Sequence, residues 1–218
     1  MLIINADDFG KNKKTTNRIC ECFSRGRVTS ATAMMFMSDS ENAARIALRH
    51  NLGIGLHLNF SSSFTMMDLE TDLIVKHERI VRYFTWHKYI RLFYNPFITG
   101  DVKQCFKSQY NEFLRLYGKE PTHIDGHHYL HLCANVVFGN VIPDGIKIRR
   151  SITYPDKTKN LKKNIMKRFV WSFFDKEILK KHLSTNYFFE LDSNFQLDEL
   201  RIVIERAKES NVELVHGG

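Results

Sequence analysis

The chain is poor in the residues that mark non-globular classes. Four prolines and 11 glycines among 218 residues argue against collagen-like repeats and wholesale disorder. No apolar run approaches the roughly 18 residues of a membrane-spanning helix, so no membrane span is expected. The opening Met1-Leu2-Ile3-Ile4-Asn5-Ala6-Asp7-Asp8 lacks a basic leader, an apolar stretch and a small-residue cleavage site, and a cytoplasmic protein is expected. The four cysteines (Cys20, Cys22, Cys105, Cys133) form no Cys-x-x-Cys pair and read as buried thiols rather than a disulfide framework. Acidic charge is the scarcer sign, 24 residues against 32 basic ones, for a net charge of +8. Much of the basic excess lies between Lys147 and Lys181. A solvated helix face accounts for such a cluster, so nucleic acid is not an expected partner.

What the chain does have is a core-forming composition, 43% hydrophobic, at a length that fits one domain over 1–218. Leu2 to Ala6 reads as a buried strand opening into an acidic turn at Asp7-Asp8. Helix signals follow over Thr15–Arg25, a strand over Val28–Met37, a helix over Ser40–His50 and a strand over Ile54–Asn59. Residues 61–100 mix serine, threonine, methionine and aromatics without one period, which predicts a long loop with helical pieces. Asp101–Tyr117 is a helix closed by Gly118. Strands are expected at Thr122–Asp125, Ile146–Arg149 and Val212–Val215, and helices over Leu161–His182 and Leu197–Ser210. Strands alternating with helices imply a parallel sheet covered by helices. Several of these strands deliver polar residues at their C-terminal ends, where α/β barrels place their chemistry.

Four segments carry those polar residues. In Asn5-Ala6-Asp7-Asp8-Phe9-Gly10 two adjacent carboxylates repel each other, and a metal on one is a natural partner. Its Asp8-Phe9-Gly10 triplet matches the kinase magnesium motif by coincidence, since a kinase needs its glycine-rich loop and lysine upstream. In Gly55-Leu56-His57-Leu58-Asn59 a lone histidine would ordinarily be read as core. Thr122-His123-Ile124-Asp125-Gly126-His127-His128-Tyr129-Leu130-His131 holds four histidines and an aspartate in ten residues, a density that suits metal ligands and their supports better than packing. Finally, Val215-His216-Gly217-Gly218 sets a histidine directly after an apolar strand.

The first three segments, in this order and spacing, resemble the motifs of the YdjC-like carbohydrate deacetylases, which include chitooligosaccharide deacetylases. The resemblance spans nearly the whole chain. It implies a distorted, TIM-like (β/α) barrel and leaves open whether the barrel is complete at its C-terminal end, where relatives continue through a further helix or two. It also implies Asp8, His57 and His127 as metal ligands, Asp7 as general base, His216 as general acid and Arg149 as a substrate-binding residue. Tyr129 departs from the pattern, standing where a third consecutive histidine is common. Gly217 replaces a usual proline, and Phe188-Phe189-Glu190 falls where a small residue is frequent.

The implied activity is metal-dependent hydrolysis of an N-acetyl group on an amino sugar or oligosaccharide, an amide hydrolase acting on a linear C–N bond. One divalent ion is expected. Two imidazoles and a carboxylate favour zinc, with magnesium left open. Relatives point to a homodimer. Phe84, Trp86, Tyr89 and Phe93 could stack on sugar rings, although core packing is the first expectation. Two other readings stand beside this one. A metal-dependent phosphoesterase would suit the positive charge, and a non-catalytic glycan-binding protein would retain the metal site.

Overall fold

Leu2–Phe9 forms the first strand, β1, three residues longer than the apolar run alone predicts. The computed structural model describes residues 1–151, 171–191 and 197–216. Helix α1 (Lys13–Ser24) starts two residues before the expected position because Asn12, not a threonine, caps it, its side-chain oxygen accepting from the Thr15 amide at 3.0 Å. β2 covers only Ser30–Ala33 of the predicted Val28–Met37 strand. Met34, Met35, Phe36 and Met37 are buried, and Phe36 takes a positive φ of 61°, which breaks the strand. α2 (Ser40–Arg49) and β3 (Ile54–Leu58) fall where expected. Every residue of β3 is buried, the signature of a parallel strand covered on both faces.

The stretch 61–100 differs most from expectation. It contains a 16-residue helix, α3 (Thr71–Trp86), and the start of α4 (Pro96–Tyr117), with Asn95 as cap. Leu73, His77, Ile80 and Phe84 form the buried face of α3, a helical spacing interrupted in sequence by exposed apolar residues such as Ile74 and Val75. α4 ends as predicted at Gly118, in the left-handed conformation. β4 is short (Ile124–Gly126), followed by the four-residue α5 (Ala134–Val137) and helical residues 171–179, α6. β5 (Tyr187–Leu191), α7 (Leu197–Glu209) and β6 (Val212–His216) complete the described chain.

All strand pairings are parallel, in the order β4-β3-β2-β1-β6-β5. Two isolated parallel bridges, Ile124 with Ile148 and Lys147 with Leu183, carry the arc from β4 to the segment leading into β5. The expected strand at Ile146–Arg149 is reduced to these bridges. The sheet curls into the distorted (β/α) barrel that the family resemblance implies, and the strand–helix alternation agrees with it. The main core packs Phe9, Ala33, Ile54, Leu56 and Ile124 against Ile80, Val102 and Phe113, and a smaller one groups Phe189, Val203, Val212 and Leu214.

Of the basic cluster, Arg149 is buried, Arg150 pairs with Asp175 and Lys180 with Glu177. Lys157, Lys159, Lys162, Lys163, Lys167 and Arg168 lie outside the described residues, as does most of the expected Leu161–His182 helix.

β3 approaches β4 closely through Gly55, where an added Cβ would lie 2.7 Å from the His123 carbonyl oxygen and 2.8 Å from its imidazole. The backbone is on the receiving end of that clash and cannot swing aside. Gly55→Ala is therefore expected to lower unfolding stability by about 1–3 kcal/mol, measured by denaturant titration. An unchanged midpoint would mean the two strands separate more readily than this packing implies.

Candidate active site

Successive side chains of a strand point to opposite faces, yet Asp7 and Asp8 line one cavity. The cause is a break in β1. Its register with β2 shifts between Ala6 and Phe9, and Asp8 takes a left-handed φ of 66°. A bulge of this kind re-aims a side chain, and here it gives two neighbouring carboxylates one outlook with different surroundings. The cavity, about 470 Å³, is lined by Asp7, Asp8, Lys11, His57, Ser62, Gly126, His127, His128, Tyr129 and Glu190.

Asp8 is the buried member. Its Oδ1 lies 3.1 Å from His57 Nε2 and 2.9 Å from His127 Nδ1, while its Oδ2 takes the Lys11 ammonium at 2.8 Å. Among the described residues Oδ1 is a buried acceptor with no well-formed hydrogen bond, although both imidazole nitrogens lie within 3.1 Å of it. Three ligand atoms converging on one point, rather than pairing with each other, is the arrangement a metal ion requires. His57 is turned the right way for this. Its Nδ1 meets Asp125 Oδ1 at 2.6 Å, the carboxylate–histidine support that leaves Nε2 for an ion. Asp125 is itself held by the Thr32 hydroxyl, which donates to Oδ2 at 2.9 Å.

Asp7 belongs to a different network. The Arg149 guanidinium donates to both its oxygens, at 2.7 and 2.8 Å, and the Asn5 amide donates to Oδ1 at 2.8 Å. Among the described residues Oδ2 has only its Arg149 bond, so a lone pair on that oxygen is free to take a proton. The same guanidinium reaches Asp125 at 2.5 Å and Glu213 at 2.7 Å. Arg149, expected near the substrate, is therefore buried with its donors on three carboxylates.

The charges explain the titration of the site. Asp7, Asp8, Asp125 and Glu213 face two fixed cations, Arg149 and Lys11, which leaves a deficit of two positive charges. Burial alone would depress the His57 imidazole, but Asp125 and Asp7 outweigh it and push its pKa up to about 10. Burial likewise favours a neutral Asp8, yet the His127 and His57 imidazoles hold its carboxyl far below the usual range. Asp125 is depressed despite its burial, chiefly by Arg149 and then His57. A divalent ion supplies the missing charge and displaces protons from its ligands, so the donor set and the charge deficit both fit one. Two further groups of ligand atoms lie close enough to hold an ion, Asp7–His57–Asp125 and His123–Asp125–Glu213, but in both the carboxylates are already bound by Arg149.

The structure thus brings together Asp7, Asp8, His57, His127 and, beneath them, Arg149. The backbone of His216 ends β6 in register with Ala6 and Leu191, and its side chain lies outside the described residues. Glu213, Thr32 and Lys11 carry no role in the sequence reading, and Asp125 enters it only as the carboxylate of the histidine-rich segment. Asp125 sits inside the histidine-rich motif, and Glu213 is an acid within an apolar strand; both were visible signals. Of the four middle aromatics only Phe84 joins the core. Trp86, Tyr89 and Phe93 are exposed and line a separate cavity of about 360 Å³, correcting the core-packing expectation.

The YdjC-like protein family model matches residues 1–218. The chain belongs to that family. It is 30% identical over 207 residues to a protein named carbohydrate deacetylase from Clostridium beijerinckii, covering 93% of this chain and 79% of the relative. It is 29% identical over 137 residues to a chitooligosaccharide deacetylase of Yersinia enterocolitica, covering 62% of this chain and 52% of the relative. Against several such curated relatives the chain matches only about half their length, 51% for one from Geobacillus stearothermophilus. Among solved structures, an Enterococcus faecalis protein described as a cellobiose-phosphate cleavage protein superposes with a TM-score of 0.65 at 19% identity. It covers 99% of this chain and 79% of that one, and it supports the fold of this YdjC-like chain.

Removing Arg149 would leave three carboxylates facing each other without a cation. Arg149→Met is expected to lose about 3–5 kcal/mol of stability at neutral pH. Because Asp125 titrates below its ordinary value when folded, its contribution is complete above about pH 4 and lost on acidification. The gap between wild type and variant should therefore narrow as pH falls below 4 in unfolding titrations. A gap independent of pH would contradict the ion-pair account.

Proposed function

We propose that this protein is a metal-dependent hydrolase that removes the N-acetyl group from an acetylated amino sugar or oligosaccharide. The observation that carries this reading is the convergence of Asp8, His57 and His127 beside a second, differently held carboxylate, Asp7. Relatives named carbohydrate deacetylase and chitooligosaccharide deacetylase supply the substrate class.

Asp8, His57 and His127 would hold one divalent ion, zinc by the preference of imidazole donors. When bound, such an ion supplies Lewis acidity to the attacking water and the acyl oxygen, with three protein ligands leaving positions open for them. Asp125 keeps the His57 ring oriented and its Nδ1 proton engaged. Asp7 accepts the proton of the attacking water at Oδ2, with Arg149 holding the carboxylate in place. His216 is assigned the proton for the departing amine, because an amine leaves poorly as an anion. That role comes from the family motif and the position of the His216 backbone one strand from Asp7. A second metal of the kind many phosphoesterases use would need Asp7 and Asp125, which Arg149 already binds.

Acetate release from a panel of N-acetylated sugars tests this directly. The activity should vanish with chelator, return with zinc, and fall about 10²–10⁴-fold in Asp7→Asn, while that variant still binds the metal. A variant with bound metal and an undiminished rate would remove Asp7 as base.

A further inference from the structure

Glu190 ends the list of groups around the cavity and has no part in the chemistry above. It lies near the C-terminal end of β5, is half-buried, and faces the same space as Asp7, Asp8 and His127. No ion pair among the described residues includes it, and the lysine that lines the cavity, Lys11, is taken by Asp8. The Tyr129 phenol lines the same cavity.

Tyr129 is held firmly. His128 and Tyr129 both adopt left-handed backbone, φ 53° and 60°, a costly choice for two consecutive residues with side chains. The Tyr129 ring meets Phe188 edge-on at 6.0 Å, and Phe188 in turn carries the Arg149 guanidinium over its face at 5.1 Å. The strained turn that presents His127 to Asp8 therefore also fixes Tyr129 in the wall of the cavity that Glu190 lines. A carboxylate half-withdrawn from water without a cation is unfavourable unless donors reach it. An ionised carboxylate only accepts hydrogen bonds, and sugar hydroxyls are the donors that a carbohydrate would bring.

We infer that Glu190 accepts hydrogen bonds from hydroxyl groups of the sugar ring presented to Asp7 and Asp8, and selects against rings bearing an anionic substituent there. This rests on the carbohydrate reading of the site. A site built to bind a hydroxyl rejects analogues that lack it, because the buried partner is left unpaired. Replacement of the hydroxyl by a carboxylate adds repulsion to that loss.

The test uses a neutral N-acetylglucosamine disaccharide and its counterpart carrying a carboxylate at C6, with affinity by calorimetry and rate by acetate release. Wild type should prefer the neutral sugar. Glu190→Ala should weaken its binding at least tenfold, raising KM more than it lowers kcat. Glu190→Gln keeps the shape and should reduce the neutral-over-acidic preference at least tenfold. Matching unfolding curves for wild type and Glu190→Gln exclude a folding defect. An unchanged preference in Glu190→Gln overturns the inference, even if acetate is released. Binding in the expected order without acetate release would instead overturn the deacetylase reading and leave Glu190 in its role. Wild type that binds neither sugar removes both.

Discussion

One buried guanidinium ties three of the barrel strands together. Arg149 reaches Asp7 on β1, Asp125 on β4 and Glu213 on β6, so three strands that repel each other through their carboxylates are tied to one cation. Alone, such a cluster is not a source of stability, because withdrawing its charges from water offsets much of their attraction. Its consequence is geometric. With Arg149 in place, Asp7 lines the cavity, and Asp125 is positioned to hold His57. The planar fork of arginine suits this; a lysine could not serve three carboxylates at fixed angles.

Charge balance then shapes the rest. Arg149 and Lys11 do not neutralise four carboxylates, and the surplus negative potential is what draws a proton onto the buried His57. The same potential would favour a divalent ion at Asp8, His57 and His127. The bulge at Asp8 separates the two acids of one motif into two surroundings: one pressed against imidazoles, the other locked to a guanidinium. Identical side chains acquire different work from their neighbours alone.

Much of this was legible in the sequence, for local reasons. Polar residues at the ends of apolar runs marked the strand ends that carry Asp7, Asp8, His57 and His127, the alternation of strands and helices implied a helix-covered parallel sheet, and the family resemblance supplied the barrel. What escaped depended on distant partners. Arg149 and Asp7 are 142 residues apart, and nothing local in Ile148-Arg149 announces that the side chain turns inward to carboxylates. α3 was missed because Ile74, Val75 and Trp86 are exposed and blur the buried stripe of Leu73, His77, Ile80 and Phe84. β5 was missed because Tyr187-Phe188-Phe189-Glu190-Leu191 is short and half-buried, although it places Glu190 at the cavity.

The central claim is that Asp8, His57 and His127, and not the carboxylates bound by Arg149, form the metal centre. Anomalous scattering from crystals grown with zinc, recorded on either side of the absorption edge, locates the ion directly. The account predicts a single peak bonded to Asp8 Oδ1, His57 Nε2 and His127 Nδ1, at the roughly 2.0–2.2 Å of zinc–nitrogen and zinc–oxygen bonds. A peak between Asp7 and Asp125, with Arg149 displaced, would contradict it.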